Sequence, residues 1–94
     1  MALRVAPKAE KDLRRIGPGP SLDRIEEKLL ELDAVDDFTA PESIPNTKRL
    51  RGTDVPIWRT RVGDYRVLWT LASDGPVVVR VVHRSDLDQA IDRL

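Results

Sequence analysis

At 94 residues the chain has room for one domain and lies near the lower end of what folds unaided. It contains no cysteine, which excludes disulfides and thiolate metal sites. No apolar run approaches a membrane span or a secretory h-region, so the expectation is a soluble cytoplasmic protein.

Sixteen basic and sixteen acidic side chains cancel, but they are segregated along the chain. Residues 20–47 hold eight acidic and two basic groups, whereas residues 48–66 hold six basic and two acidic. A neutral chain gains little long-range steering toward nucleic acid, yet a local patch can still grip a phosphate backbone. Twelve of the sixteen basic residues are arginine, whose planar fork suits bidentate contact with phosphate.

Taken in order, Leu3-Arg4-Val5 is compatible with a short first strand. Pro7 is well placed to open a helix whose apolar residues recur at Ala9, Leu13 and Ile16. Gly17-Pro18-Gly19-Pro20 stops that helix. A second helix follows, with Ser21 as the expected N-cap, Asp23, Glu26 and Glu27 near its positive end, and Leu22, Ile25, Leu29 and Leu32 as its buried stripe. Residues 34–56 read as a long loop containing Pro41, Pro45, Gly52 and Pro56, and ending in the basic run Lys48-Arg49-Leu50-Arg51-Gly52.

Strands are expected at Ile57–Val62 and Tyr65–Leu71, joined at Gly63-Asp64. Ser73-Asp74-Gly75 then turns the chain into the β-branched run Val77–Val82. Ser85-Asp86-Leu87-Asp88 fits a capping box, and Leu87, Ala90, Ile91 and Leu94 supply a helical stripe. The order is β-α-α-β-β-β-α in a single domain over residues 1–94. That predicts an α+β fold, with the helical hairpin on one face of a mostly antiparallel sheet and a C-terminal helix.

Strand alternation sorts the candidates by face. Trp58, Tyr65, Trp69 and the odd-numbered valines are expected under the helices as core. Arg59, Arg61, Arg66, Arg80 and Arg84 are expected together on the other face, where they repel one another unless an anion lies between them. Strict alternation sends His83, the only histidine, toward the helices; a bulge would turn it toward Arg84.

The hairpin Arg59-Thr60-Arg61-Val62-Gly63-Asp64-Tyr65-Arg66-Val67-Leu68, followed by a valine strand and His83-Arg84-Ser85-Asp86, resembles the RelE/ParE toxin superfamily of bacterial toxin–antitoxin modules. The resemblance covers nearly the whole chain and implies the RelE-like fold. It also implies a toxin neutralised by a cognate, RelB-like antitoxin in a hetero-oligomer. Members similar to RelE cleave messenger RNA on the ribosome through the substrate's own 2′-hydroxyl, without metal or cofactor. By motif position Arg66 and Arg84 correspond to the transition-state arginines, Arg59 and Arg61 to basic residues of the preceding strand, and His83 to a proton-transfer candidate. Lys48, Arg49 and Arg51 would grip RNA. The tyrosine that the family often places soon after His-Arg is absent among Leu87, Asp88, Gln89 and Ala90. The alternatives are therefore a ParE-like inhibitor of DNA gyrase, or a module that only binds its antitoxin.

Overall fold

The computed structural model describes residues 2–94. Strand β1 is Arg4–Val5, helix α1 Pro7–Ile16 and helix α2 Pro20–Asp33. Strands β2 (Thr47–Arg49), β3 (Trp58–Val62), β4 (Tyr65–Ala72) and β5 (Gly75–His83) follow, and helix α3 is Leu87–Asp92. Short 3₁₀ turns occupy Pro41–Ser43 and Arg84–Asp86. The five strands form one mixed sheet in the order β1-β5-β4-β3-β2, with only β1 and β5 parallel. No helix among the described residues is long and apolar enough to cross a membrane.

Local chemistry sets the boundaries. Pro7 and Pro20 each open a helix, where a missing N–H costs nothing. Gly17, at φ +73°, ends α1 and donates its N–H to the Leu13 carbonyl. The N-cap of α2 is Gly19, not Ser21, because Pro20 already belongs to the helix and moves its start one residue earlier. The expected capping box before α3 is likewise not formed. Residues 84–86 wind as a 3₁₀ turn instead, and the His83 ring accepts the Ser85 N–H. Gly63 and Asp64 close β3 on β4 in two residues, with Gly63 at φ +59° as a type II′ turn requires.

The long loop expected over residues 34–56 is only partly a loop. Thr47–Arg49 joins the sheet edge in antiparallel register, Thr47 opposite Thr60 and Arg49 opposite Trp58. Three residues are too few to show a period, so this strand had no pattern of its own. Side chains fix it from within. The Trp69 Nε1–H donates to Thr60 Oγ1 at 2.9 Å, the two threonine hydroxyls bond at 2.8 Å, and Thr47 Oγ1 donates to the Pro45 carbonyl at 3.2 Å. Asn46 holds the left-handed backbone at φ +61° that this approach needs, a conformation asparagine tolerates, and its carbonyl accepts the Arg61 N–H.

Two apolar clusters lie on opposite sides of the sheet. Under α1 and α2, fully buried Ala9, Ile25 and Leu32 pack with Val67, Trp69, Val78 and Val81. Burying an aliphatic side chain of the size of Ile25 or Leu32 stabilises by roughly 1.5–3 kcal/mol. On the other side α3 contributes Ala90, Leu87 and Ile91 to a smaller cluster with Leu50, Ile57, Leu68 and Val82. The sheet is thus covered on both faces, fully by the helical hairpin and in part by α3.

Alternation breaks once. Leu68 pairs with Arg80 but Trp69 pairs with Val78, so Val79 is an extra residue in β5. Val78 and Val81 therefore both face the large core, while Val79 joins the smaller cluster, contrary to the odd-valine expectation. Beyond Val78 no strand among the described residues flanks the outer side of β5, and α1 lies there instead. Asp12 of α1, itself buried, accepts the Val81 N–H at 2.9 Å and the Arg80 Nε–H at 2.8 Å. Arg80 is consequently tied to α1 and does not belong to the arginine face.

Candidate anion-binding site

The β3–β4 hairpin assembles the remaining arginines. Arg61 sits directly opposite Arg66, and Arg59 lies opposite Leu68 on the same face. Two like charges across a strand pair are unfavourable on their own, so the arrangement needs something to offset it. Arg66 donates from one terminal nitrogen to the Gly63 carbonyl at 3.1 Å and the Tyr65 carbonyl at 2.9 Å, which folds it back over the turn. Its Nε is buried without a partner. Burial first, and then the positive fields of Arg59, Arg61 and Arg84, push the Arg66 guanidinium below its ordinary pKa. The charges of Arg59, Arg61 and Arg84 thus all reach Arg66.

Counter-charge is sparse. Asp64, in the turn, approaches the Arg84 Nε only to 3.7 Å, and both side chains are about two-thirds exposed (65% and 67%). An exposed pair of this kind contributes little. The Arg84 backbone is better fixed than its side chain, its N–H donating to the Asp64 carbonyl at 2.8 Å.

Arg59, Arg61 and Arg66 line a cavity of about 410 Å³ together with Lys48 of β2 and residues 42–47. Lys48, Arg49 and Arg51 line a shallower neighbouring depression, so the basic run continues the cationic surface without entering the arginine cavity beyond Lys48. Glu42 borders both cavities, in a stretch that the sequence presents only as loop. Its neighbourhood to the arginines depends on the 3₁₀ turn and on β2, neither of which leaves a periodic signal.

His83 lies elsewhere. It is opposite Tyr65, packs edge-on against that ring at 5.5 Å, and lines a cavity of about 370 Å³ between α1, β5 and α3. Its Nδ1 accepts the Ser85 N–H at 3.2 Å and meets Ser85 Oγ at 2.8 Å. A nitrogen that accepts a backbone N–H carries no proton, so the neutral ring holds its proton on Nε2. The bulge falls at Val79, before His83, and the ring stays on the helix side, across the sheet from Arg66. No group of histidine, cysteine, aspartate or glutamate among the described residues is arranged to hold a metal ion.

Residues 3–88 match the sequence family described as the ParE toxin of the parDE type II toxin–antitoxin system. The chain belongs to the ParE toxin family. As a member of this RelE/ParE group of type II toxins it has close structural likenesses. The RelB–RelE antitoxin–toxin complex from Methanococcus jannaschii aligns with a TM-score of 0.68 and 25% identity, covering 90% of this chain and 94% of that one. The toxin–antitoxin complex RelBE2 from Mycobacterium tuberculosis aligns at 0.55 and 27% identity, covering 88% and 96%. The archaeal RelE–RelB complex from Pyrococcus horikoshii, at 0.63 and 21% identity over 88% and 93%, shares the fold. No curated protein matches the chain. The RelE-like α+β fold expected from the hairpin and the terminal His-Arg is the fold observed.

Proposed function

We propose that this ParE-family toxin is a ribosome-dependent messenger RNA endonuclease of the RelE kind, held inactive by a cognate antitoxin. One observation supports this above the others: Arg59, Arg61, Arg66 and Arg84 are gathered around one hairpin with almost no acidic neutralisation. Attack of a ribose 2′-oxygen on phosphorus builds negative charge on a pentacovalent phosphate. Fixed guanidinium groups favour that state over the ground state, and removing one such donor typically costs about 10²–10³ in rate. In this reading Arg66 and Arg84 hold the scissile phosphate, Arg59 and Arg61 its flank, and Lys48, Arg49 and Arg51 the neighbouring backbone. The likeness to toxins found in RelB–RelE and RelBE2 complexes supports a cognate antitoxin as partner.

Induced expression should arrest growth, and mapped RNA 5′ ends should fall at codon positions only when ribosomes are present. A folded Arg66→Ala, Arg84→Ala double variant should lose both effects; toxicity equal to wild type would overturn the mechanism. The position of His83 favours a second reading, gyrase inhibition without nuclease chemistry, because no imidazole stands beside the guanidinium cluster. That reading predicts gyrase co-purification and DNA damage with intact messenger RNA.

A further inference from the structure

The turn that carries Arg84 is held from several sides. The Arg84 N–H donates to the Asp64 carbonyl of the β3–β4 turn at 2.8 Å, and its carbonyl accepts the Leu87 N–H at the start of α3. Between these bonds the Ser85 N–H donates to His83 Nδ1 at 3.2 Å. The imidazole thus serves as an asparagine or aspartate side chain does in an Asx turn, accepting the N–H two residues on. Tyr65, opposite it on β4, meets the ring edge-on at 5.5 Å. Only the neutral ring can fill this role, because imidazolium carries a proton on both nitrogens and accepts nothing. The Arg84 side chain has no comparable anchor. It is largely exposed and Asp64 stays 3.7 Å from it, so the backbone of the turn decides where it points.

We propose that His83 is a positioning residue: its neutral ring caps the turn over residues 84–86 and so aims Arg84 at the phosphate, from the far side of the sheet and without touching RNA. The inference rests on the endonuclease reading and deepens it, naming a control on the same anion site. Protonation of Nδ1 would set one donor against another at Ser85, and the turn would keep only its bonds to Asp64 and Leu87. Arg84 would then lose its direction, not its charge. Asp12, Arg15, Arg80, Asp86 and Arg93 are the charged groups on the cavity that the ring lines, with Tyr65 beside it. Asp12 and Arg80 neutralise each other at 2.8 Å, and Asp64 and Arg84 lie across the turn. His83 is the only histidine of the chain, so it is the side chain expected to change charge between about pH 5 and 8. The sign of the effect separates two causes. An added positive charge acting through its field alone would favour the phosphate in acid, whereas loss of the cap slows cleavage there.

The test is single-turnover cleavage of messenger RNA on programmed ribosomes by wild type, His83→Leu and His83→Asn, each also in an Arg84→Ala background. At about pH 8, His83→Leu should cleave roughly 10–100 times more slowly than wild type, the cost of a misplaced group. His83→Asn, whose amide oxygen still accepts the Ser85 N–H but moves no proton, should stay within about threefold of wild type. As the pH falls to about 5, the rate of wild type relative to His83→Asn should drop toward that of His83→Leu. In the Arg84→Ala background the penalty of His83→Leu should vanish, which a general loss of packing would not produce. The assignment is overturned if His83→Asn is as slow as His83→Leu, if His83→Leu matches wild type, or if its penalty persists without Arg84. A rise of wild type relative to His83→Asn in acid overturns it too. Each of these outcomes leaves the endonuclease reading standing, and failure of wild type itself to cleave removes both.

Discussion

Arg80 and Arg66 occupy the same sheet, on adjacent strands, and their environments push them in opposite directions. Arg80 makes a two-pronged contact with buried Asp12 at 2.8 and 3.1 Å, and that hydrogen bonding raises its pKa. Arg66 faces burial and three other guanidinium groups, and its pKa is lowered. The signs have plain consequences. A raised pKa on a cation means that folding stabilises the charged form, as for a structural ion pair. A lowered pKa means that the fold holds a charge at a cost, at every pH where arginine is protonated. One arginine is neutralised within the scaffold, and the other keeps its charge without a carboxylate bound to it among the described residues.

The comparison breaks most visibly at Asp12. Its carboxylate satisfies Arg80 and also the Val81 N–H, on the side of β5 that no strand covers. Asp12→Ala should cost about 3 kcal/mol in urea unfolding, because a mostly buried cation and a backbone donor lose their partner together. The double variant Asp12→Ala, Arg80→Met should recover most of the loss, since the uncompensated charge is then gone. A cost below about 0.5 kcal/mol for Asp12→Ala would place Arg80 back among ordinary surface charges.

A smaller effect is expected at the hinge between core and site. Thr60 is fully buried and joins Trp69 to Thr47. Thr60→Val keeps the shape but leaves the Trp69 indole N–H unpaired and the Thr47 hydroxyl with only the Pro45 carbonyl, a loss of about 1–3 kcal/mol. Because Thr47 and Pro45 anchor β2 and the turn before it, hydrogen exchange over residues 41–49 should speed up more than over β4. Uniform acceleration would show that the chain of hydroxyls stabilises the whole sheet and not the wall of the cavity in particular.

How legible this contrast was depends on the strand. The β3–β4 hairpin was readable because Gly63-Asp64 marks the turn and Trp58, Tyr65 and Trp69 alternate with arginine, so one register puts all three aromatics in the core. In β5 the run Val77-Val78-Val79-Arg80-Val81-Val82 is apolar on both faces, and such a run carries no period to reveal an extra residue. The bulge at Val79 therefore escaped, and with it the separation of Arg80 from Arg66. Asp12 was hidden for a different reason: an aspartate within a charged helix reads as solvated, and only the approach of β5 gives it partners. Glu42 and Thr47 owe their places to contacts between residues far apart in the chain.

The smallest expected effect tests the other half of the comparison. If Arg66 is held against the field of Arg59, Arg61 and Arg84, then removing its charge should relieve repulsion. Arg66→Gln should leave stability unchanged or raise it by no more than about 0.5 kcal/mol, and the gain should shrink as salt screens the exposed neighbours. The same substitution should weaken anion binding. Wild type should gain thermal stability with added phosphate or a short non-cleavable RNA, as any ligand that prefers the folded state requires, and Arg66→Gln should gain less. Arg80→Met should show the reverse pattern, a stability loss with an undiminished response to phosphate. Two arginines whose substitutions give the same pair of results would not have divided roles, whatever their surroundings.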